Sequence, residues 1–387
     1  PARTAFAGPD GELNWDKLPG GGVYTGHMAT RLTGTSHGGA TTHAYGVKVH
    51  HNSFGLNRTE VITAASGKQM SIAEEAHEAG KAVALVQSGH IAEPGTAVFA
   101  ASSEERGNRE DIARQVIESN FAVIMAGGER YLLPEGVAGR QGEGEREDGL
   151  NLIERAEELG YTIVYTRDEL MGLDLATVDK VLGVFAHNHT FNDQERERNL
   201  IEGKPTYVES APTIAEMADA ALQVISRDED GFFAVVEEEG TDNIPNNMNA
   251  FGTLEALRRA DDAVGVLHDY VNANDDTLLL MAADSHASGM HLLSGSEAPE
   301  GGAVAATTRG GGVLHGQQGA FGDVFMSAPD AEGVRHPFGI AWVGYNDVAG
   351  GIVARSAGLN HEMLEPLVDN TEIYQIMHTT LFGEQTN

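Results

Sequence analysis

Short apolar segments alternate with helical patterns along the chain, and this alternation restricts the fold more than any other feature of the sequence. Strands that are joined through helices pair in parallel, and the helices then cover both faces of the sheet. The predicted strands are residues 82–87, 121–126, 162–165, 180–186, 232–236, 277–283 and 338–343. The sequence therefore predicts an α/β fold built on a mostly parallel sheet.

The helices between these strands are predicted from apolar spacing and from capping residues. One buried helix face is marked by apolar residues at intervals of three, four and seven, namely Leu254, Leu257, Val264, Leu267 and Val271. Thr213 and Glu216 have the spacing of a capping box, which predicts the start of another helix. The last helix is predicted at about residues 371–381.

Two segments have the composition of surface insertions. Residues 134–150 are rich in Gly, Glu and Arg, and residues 289–335 contain many glycines and few strand-forming residues. The second segment is too long for an ordinary connection, and loops of this kind are often lids or binding loops. No internal repeat or linker interrupts the chain. The simplest prediction is one domain, 1–387, with insertions at about 134–150 and 289–335.

The charge of the chain limits its partners. There are 58 acidic and 25 basic residues, which gives a formal net charge of −33. Such a surface repels nucleic acid and anionic membranes, so neither is an expected partner, and no apolar run is long enough to predict a transmembrane helix. A solvated acidic surface suits high salt, as in halophilic proteins. A phosphate substrate would also be repelled, so its site needs bound cations and an arginine.

Acidic residues follow two of the predicted strands directly. Glu237, Glu238, Glu239 and Asp242 follow strand 232–236, whereas Asp284 and His286 follow strand 277–283. Ligands of open α/β sheets gather at the carboxyl ends of the strands, and two carboxylate clusters there would repel each other unless a cation lay between them. Each cluster alone could instead be a solvated acidic turn. Since there are no cysteines, a metal site must use His, Asp, Glu, Asn and hydroxyl ligands, which favour zinc, magnesium, manganese or calcium.

Seven segments resemble those of the alkaline phosphatase family, in the order in which the family has them. GTSHGGATTHAYGVKVHHNSFGLN, residues 34–57, resembles the segment that carries the family's nucleophile, and KAVALVQSGHIAEPGTAVFAASSEER resembles the strand and arginine that follow it. The others are PTIAEMADAALQVIS, GFFAVVEEEGTDN, ALRRADDAVGVLHDYV, DTLLLMAADSHASGMHL and VDNTEIYQIM. The resemblance covers nearly the whole chain and implies a three-layer sandwich with a central, mostly parallel sheet.

The resemblance implies a catalytic serine and a phosphate clamp. Counting back from Gly-Val-Lys at 46–48 places the nucleophile at Ser36. In the family this serine attacks phosphorus, forms a phosphoseryl intermediate and is then freed by a metal-bound water. Arg106 matches the arginine that grips two phosphate oxygens, for which a planar guanidinium is suited.

The resemblance also implies a set of metal ligands. Glu237 matches the magnesium carboxylate, and Asp242 and Asp284 each match a carboxylate of one zinc site. Thr96 or its neighbour Gly95 matches a magnesium-binding threonine. Glu93 falls where the family has an acid that supports the magnesium site. His336 is the best candidate for a late histidine ligand, although the family's His-Thr-Gly motif reads His-Pro-Phe in this chain.

Three positions depart from the family pattern within the site. Thr35 stands before the nucleophile where the family has Asp, and Asn246 replaces a histidine in Asp-x-x-x-His. Where the family has an Asp-His pair, this chain has the three residues Asp284, Ser285 and His286. Either Ser285 replaces the histidine, or one inserted residue shifts the role of the histidine to His286. In an extended segment Asp284 and His286 point to the same side, so the second alternative is geometrically reasonable.

These departures predict a changed metal preference. Amide and hydroxyl oxygens in place of imidazoles favour magnesium, manganese or calcium over zinc. The family's first strand ends in Gly-Asp-Gly-Met with an aspartate that bridges two metals, and residues 1–6 resemble the helix after it. Without that aspartate, a site for two zinc ions and one magnesium ion lacks its central ligand.

Other histidines offer alternatives. His37, adjacent to Ser36, could replace the missing aspartate as a base or ligand, or could be a packed histidine in a crowded turn. His187 and His189 have the spacing of a chelating pair, although such pairs arise by chance among sixteen histidines. His315 would reach the site only if the second insertion folds over it.

The leading hypothesis is metal-dependent hydrolysis of phosphate monoesters through a phosphoseryl intermediate at Ser36. The alternatives are a phosphodiesterase or sulfatase on the same fold, and a degenerate relative that acts as a structural or binding protein. The resemblance implies a small phosphorylated substrate, a homodimer, and a periplasmic or extracellular location. Residues 1–6 lack the basic-then-apolar order of a signal peptide, so an exported protein would already have lost its signal.

Overall fold

The central element of the computed structural model is a parallel five-stranded sheet, and the model describes residues 1–192 and 204–383. The strands in chain order are β1 Gly20–Thr25, β2 Leu56–Asn57, β3 Glu60–Val61, β4 Ala82–His90, β5 Val123–Gly127, β6 Thr162–Val164, β7 Val181–Val184, β8 Phe232–Glu237, β9 Leu278–Met281, β10 His286–Ala287, β11 His291–Leu293, β12 Leu314–Gly316, β13 Gly319–Ala320, β14 Phe325–Met326, β15 Pro337–Ala341, β16 Asp347–Val348, β17 Ile352–Gly358 and β18 Leu367–Asp369.

The helices of the same residues surround this sheet. In chain order they are α1 Ala2–Phe6, α2 Ser36–Tyr45, α3 Ile72–Glu78, α4 Pro94–Ala97, α5 Arg109–Glu118, α6 Leu152–Glu158, α7 Arg167–Met171, α8 Ile214–Ile225, α9 Gly240–Asn246, α10 Ala250–Ala273 and α11 Asn370–Phe382. Each helix that the structure describes is too short or too polar to cross a membrane.

The central sheet has the strand order β6-β7-β5-β4-β8, and all its pairs are parallel. Side chains alternate across it, so Val83 and Leu85 of β4 pack in one apolar cluster, with α3 and α5, whereas Ala84 and Val86 pack in another, with α8. Burial of both faces explains why β4 and β5 read as continuous apolar runs. The predicted α/β fold with helices on both faces is confirmed.

Two of the predicted strands lie outside the parallel sheet. β9 pairs antiparallel with β17, in a separate sheet of order β18-β1-β17-β9, and β15 pairs antiparallel with β11 and β12. An apolar run predicts a strand but carries no information about the direction of its neighbour. The seven predicted strands therefore belong to three different sheets.

The predicted helices occur where capping and periodicity placed them. α8 begins after Thr213, whose side chain accepts a hydrogen bond from the Glu216 backbone N–H while Glu216 bonds back to the Thr213 N–H. α10 buries Leu254, Val264 and Val271 along one face. Such reciprocal caps satisfy N–H groups that a helix start leaves without partners.

The two Gly-rich segments are ordered by different interactions. In segment 134–150, Arg146 is buried, and its guanidinium donates to the carbonyl oxygens of Glu110 and Tyr131. Segment 289–335 contains strands β11 to β14, which form a five-stranded sheet with β15. This sheet packs through Phe325 and Trp342 against the region where α10 begins. The second segment is therefore a small sheet rather than a long irregular loop.

We predict that the core around β7 carries much of the stability of the chain. Leu182 is fully buried between the neighbouring strands, so Leu182→Ala should lower the free energy of unfolding by about 2–5 kcal/mol. Leu32 is 87% exposed, and Leu32→Ala should change the free energy of unfolding by less than about 0.5 kcal/mol. Urea titration of both variants measures the difference; equal effects would contradict this packing.

Candidate active site

The carboxyl ends of β4 and β8 bring several acidic residues together. The two strands are neighbours in register, with Gln87 opposite Glu237. β8 ends at Glu237, and Glu239 follows it before α9 begins. β4 ends at His90, and Glu93 follows it at the start of α4. Glu93 and Glu239 are 5% and 4% exposed, so charge is concentrated here away from water.

Ser36 occupies the first position of helix α2. Thr35 caps the helix, since its hydroxyl accepts from the Gly38 N–H at 3.2 Å and donates to the His51 carbonyl oxygen at 2.7 Å. Both interactions fix the direction in which the helix leaves the preceding loop. Thr35 therefore has a structural function at the position where the resemblance expects an aspartate.

Two glycines on either side of Ser36 lie against Asp284. A Cβ atom added to Gly34 would lie 2.3 Å from the Asp284 carbonyl oxygen, and one added to Gly39 would lie 2.5 Å from the Asp284 Cβ. Real Cβ atoms do not approach so closely, so only glycine permits this contact. The start of α2 and the residues after β9 are thereby held together.

Asn246 connects carboxylates from two distant parts of the chain. Its side-chain amide donates to Asp242 Oδ1 and to Asp347 Oδ1, both at 3.2 Å, and its carbonyl oxygen accepts from the Ser288 hydroxyl at 3.1 Å. Asp347 lies in β16, which pairs with β10. The structure therefore brings Asp347 to the ligand set that the sequence predicted around Asp242.

Asp347 was missed by the sequence reasoning. It lies in a short strand after Gly344, and the strand that follows, β17, is also absent from the predictions. An acidic residue directly ahead of an apolar strand in an otherwise Gly-rich stretch was the only available signal. We refer to Glu237, Glu239, Asp242, Asp284 and Asp347 as the carboxylate cluster.

Arg106 is the positive charge facing this cluster. Its Nη2 donates to Glu93 Oε2 at 2.9 Å, and its side chain is 36% exposed. Charge interactions with Glu93, Glu239 and Asp242 raise the pKa of the guanidinium, although burial alone would lower it. Arg106 therefore stays charged and is held by one carboxylate while part of it remains open to solvent.

Four members of the carboxylate cluster have a raised pKa and so resist ionisation. Burial first, and then the charges of Asp284 and Glu93, raise the pKa of Glu237 to about 8. Burial and then Asp347 raise the pKa of Asp284 to about 7. The pKa values of Glu239 and Asp242 are also well above the usual range, chiefly through burial. Close carboxylates can all be ionised at neutral pH only if cations compensate them.

The donors of the cluster suit hard divalent cations. Glu237 Oε2 and Glu239 Oε1 are buried without a hydrogen-bond partner in the described part of the chain. Ser285 Oγ lies 3.3 Å from Asp284 Oδ1, and Asn246 also has an oxygen, although its amide nitrogen is the atom that contacts Asp242 and Asp347. An all-oxygen set of high negative charge is typical of magnesium, manganese or calcium sites.

The magnesium-binding threonine that the resemblance implies has a different partner. The Thr96 hydroxyl accepts a hydrogen bond from the Gln87 amide. Gly95 is the residue that lies on Glu237, because a Cβ atom added there would lie 1.6 Å from Glu237 Oε1. Of the two matched positions, Gly95 therefore makes the backbone contact with the carboxylate.

Three predicted or considered histidines have partners elsewhere. His336 pairs with Asp330 at 2.8 Å in an exposed turn, and His315 Nδ1 lies 2.7 Å from the Met248 carbonyl oxygen. His187 lies 2.9 Å from the Glu143 carbonyl oxygen and so does not form a chelating pair with His189. The structure does not bring these three side chains to the carboxylate cluster.

The ring of His286 lies against Gly350 and His291. A Cβ atom added to Gly350 would lie 2.5 Å from His286 Nδ1, and the ring centroid is 5.8 Å from that of His291. Ser285 is the residue whose side chain contacts Asp284. The geometry thus favours Ser285 over His286 as the nearer replacement for the family histidine.

His37 is a neutral ring next to the proposed nucleophile. Burial and then the charge of Arg106 lower its pKa to about 4, and its Nδ1 is buried without a hydrogen-bond partner among residues 1–192 and 204–383. A ring with this pKa is a weak base at neutral pH. It can still accept a hydrogen bond or offer a lone pair.

A model of the alkaline phosphatase family matches residues 2–311. The chain is 28% identical over 340 residues to the membrane-bound alkaline phosphatase of Bombyx mori, covering 79% of this chain and 59% of that protein. It is 27% identical over 327 residues to the alkaline phosphatase of Gadus morhua, covering 76% of this chain and 65% of that protein. The chain thus spans about three fifths of the length of these relatives.

Solved structures share the fold over almost the whole chain. The alkaline phosphatase from the Antarctic bacterium TAB5 has a TM-score of 0.72 and 20% identity, covering 97% of this chain and 93% of that chain. The Thermus thermophilus alkaline phosphatase has a TM-score of 0.73 and 22% identity, covering 96% and 85%. A TAB5 mutant, His 135 Asp, has Mg bound in its M3 site, and matches with a TM-score of 0.71 and 19% identity, covering 96% of this chain and 91% of that chain.

We predict that divalent cations stabilise the protein more at pH 8 than at pH 5. Carboxyl groups whose pKa is raised in the folded state bind protons more tightly there than in the unfolded chain, so stability of the metal-free protein falls as pH rises from about 4.5 towards 8. Bound Mg²⁺ replaces those protons. Melting temperatures at pH 5, 6, 7 and 8, with EDTA or with Mg²⁺, measure the effect.

The control is the double variant Glu237→Gln, Asp284→Asn, in which the effect of Mg²⁺ on the melting temperature should depend less on pH. Measurement in roughly 1 M KCl removes most surface repulsion, because the screening length is then about 3 Å. A wild-type melting temperature that responds equally to Mg²⁺ at pH 5 and pH 8 would contradict the prediction.

Proposed function

Because the chain belongs to the alkaline phosphatase family, we propose that it is a metal-dependent hydrolase of phosphate monoesters. The observation that carries the proposal is the contact of Gly34 and Gly39 with Asp284. It joins the helix start that bears Ser36 to carboxylates contributed some 250 residues later. A hydroxyl beside a cation-binding carboxylate cluster is the arrangement that phosphate-ester hydrolysis through a serine requires.

Ser36 is the proposed nucleophile. Its Oγ attacks phosphorus while its proton passes to the ester oxygen, so the bond from phosphorus to that oxygen breaks, the alcohol leaves and a phosphoseryl group remains. Water then attacks the same phosphorus, the bond from phosphorus to Oγ breaks, one proton of the water passes to Ser36 Oγ, and inorganic phosphate is released. Ser36 lies at the first turn of α2, where helix N–H groups favour negative charge.

Arg106 is the proposed phosphate clamp. A guanidinium can donate to two phosphate oxygens at once, and in this chain Glu93 fixes one of its nitrogens. The net charge of −33 makes such a fixed cation necessary, since the rest of the surface repels the substrate. His37, neutral beside Arg106, is assigned to positioning of this region or to metal binding rather than to general base catalysis.

The carboxylate cluster, with Asn246 and Ser285, is the proposed metal-binding region. Bound divalent cations would lower the pKa of hydroxyl groups and compensate the charge that develops on the phosphoryl oxygens. No three of the cluster's carboxylates place oxygen atoms within 4.8 Å of one another among the described residues, so an ion shared by three of them would require their side chains to move closer together. Thr96, His286 and His336 are not included, since other contacts hold them.

The remaining elements of the proposal follow from the family. Small phosphorylated molecules are the proposed substrates, and a homodimer and a periplasmic or extracellular location are the proposed state and place. The acidic surface is proposed to suit high ionic strength, where repulsion between copies is screened.

We predict that Ser36→Ala lowers kcat for phosphate monoesters by roughly a thousandfold or more, as expected when a nucleophile is removed. Ser294→Ala, at an exposed serine directly after β11, should leave kcat unchanged. Steady-state assays with a phosphate monoester, a phosphate diester and a sulfate ester measure both activity and substrate class. Activity that survives Ser36→Ala would remove the mechanism, and faster turnover of the diester or sulfate would replace the substrate class.

We also predict that the stripped enzyme is reactivated by magnesium, manganese or calcium better than by zinc. The reason is the oxygen donor set, because Ser285 and Asp347 have no side-chain nitrogen and the amide nitrogen of Asn246, unlike an imidazole nitrogen, has no lone pair available for a metal. The measurement is recovery of activity after chelator treatment and addition of each metal separately. Full recovery with zinc alone, and none with the hard cations, would contradict the assignment.

A further inference from the structure

His90, Glu93 and His189 form a compact group outside the carboxylate cluster. Within residues 1–192 and 204–383, this is the group of His, Asp and Glu residues that can place three donor atoms within 4.8 Å of one another. His90 is 3% exposed, Glu93 5% and His189 9%. Such burial distinguishes the group from exposed acidic side chains, which are common without a metal ion.

Three different elements contribute these side chains. His90 is the last residue of β4, Glu93 occupies the N-cap position of α4, and His189 lies in the loop after β7. The two rings are nearly parallel, with centroids 4.9 Å apart. Tyr131 packs edge-on against His90, and Phe191 stacks on His189, so packing holds both rings in place.

Both imidazoles direct a nitrogen towards one carboxylate oxygen. Nε2 of His90 lies 3.0 Å from Glu93 Oε1, and Nε2 of His189 lies 3.9 Å from the same oxygen. Donor atoms around a tetrahedral zinc ion lie about 3.3 Å apart, with zinc–nitrogen bonds of about 2.0–2.1 Å. The observed separations are thus close to those of a bound ion.

The donor set differs in kind from that of the carboxylate cluster. Two imidazole nitrogens and one carboxylate oxygen suit zinc and other borderline transition metals, whereas an all-oxygen cluster suits magnesium or calcium. Three nearby guanidinium groups oppose a cation. Arg106 is paired with Glu93 and Arg130 with Glu145, whereas Arg109 is exposed, so that water screens its charge.

We propose that His90, Glu93 and His189 bind one divalent transition-metal ion of the zinc class, separately from the cations of the carboxylate cluster. The ion fixes Glu93, and Glu93 Oε2 holds Arg106 at 2.9 Å. The site therefore orients the phosphate clamp without touching the substrate. His90 and His189 take no part in the proposed phosphatase chemistry, whereas Glu93 also holds the phosphate clamp.

The test is zinc binding to the chelator-treated chain in a large excess of Mg²⁺, which occupies the carboxylate cluster. Calorimetric titration should give one zinc ion per chain, for wild type and for Ser36→Ala alike. His90→Ala and His189→Ala should each weaken zinc binding at least about 10–100-fold. His187→Ala, two residues away with its ring on the Glu143 carbonyl, is the matched control and should bind as wild type.

A second measurement guards against variants that fail to fold. Co²⁺-loaded wild type should show the intense visible absorption of a tetrahedral site, and X-ray absorption of the zinc-loaded chain should show two imidazoles. Unchanged zinc affinity in folded His189→Ala, or an oxygen-only shell, would overturn the proposal. Because Ser36→Ala retains the site, loss of phosphatase activity alone does not affect this result.

Discussion

Repulsion between carboxylates that are buried or half-buried at the carboxyl ends of the parallel strands shapes the rest of this structure. β8 delivers Glu237, the turn after it delivers Glu239, α9 delivers Asp242, and the segments after β9 and β15 deliver Asp284 and Asp347. Packing around these residues reduces the water that solvates their charges, so the pKa values of four of them rise. The fold can hold this cluster ionised only with cations, and cations are also what the proposed chemistry needs.

Close backbone contact holds the start of α2, which bears Ser36, against the cluster. The absence of side chains at Gly34 and Gly39 lets the start of α2 rest on Asp284, and the absence of one at Gly95 lets α4 rest on Glu237. Any larger residue at these positions would separate Ser36 or α4 from the carboxylates. The importance of these glycines comes from their contacts with Asp284 and Glu237, which are far away in the sequence. Local sequence patterns therefore do not reveal it.

The sequence predicts the fold best where the physics is local. The strands of the central sheet are buried on both faces and read as apolar runs, and Thr213 with Glu216 marks a helix start by direct hydrogen bonds. What the sequence does not reveal is pairing between distant segments. The direction of β9, the approach of Asp347 to Asn246, and the meeting of His189 with His90 all depend on contacts more than 70 residues apart in the chain.

The most direct measurement of the central claim is a crystal structure of the protein grown with Mn²⁺ and orthovanadate. Anomalous scattering locates manganese, and vanadate adopts the five-coordinate geometry of phosphoryl transfer. The account predicts manganese among Glu237, Asp242, Asp284 and Asp347, and vanadium bonded to Ser36 Oγ with Arg106 on its oxygens. Manganese absent from these carboxylates, or vanadate bound away from Ser36, would contradict it.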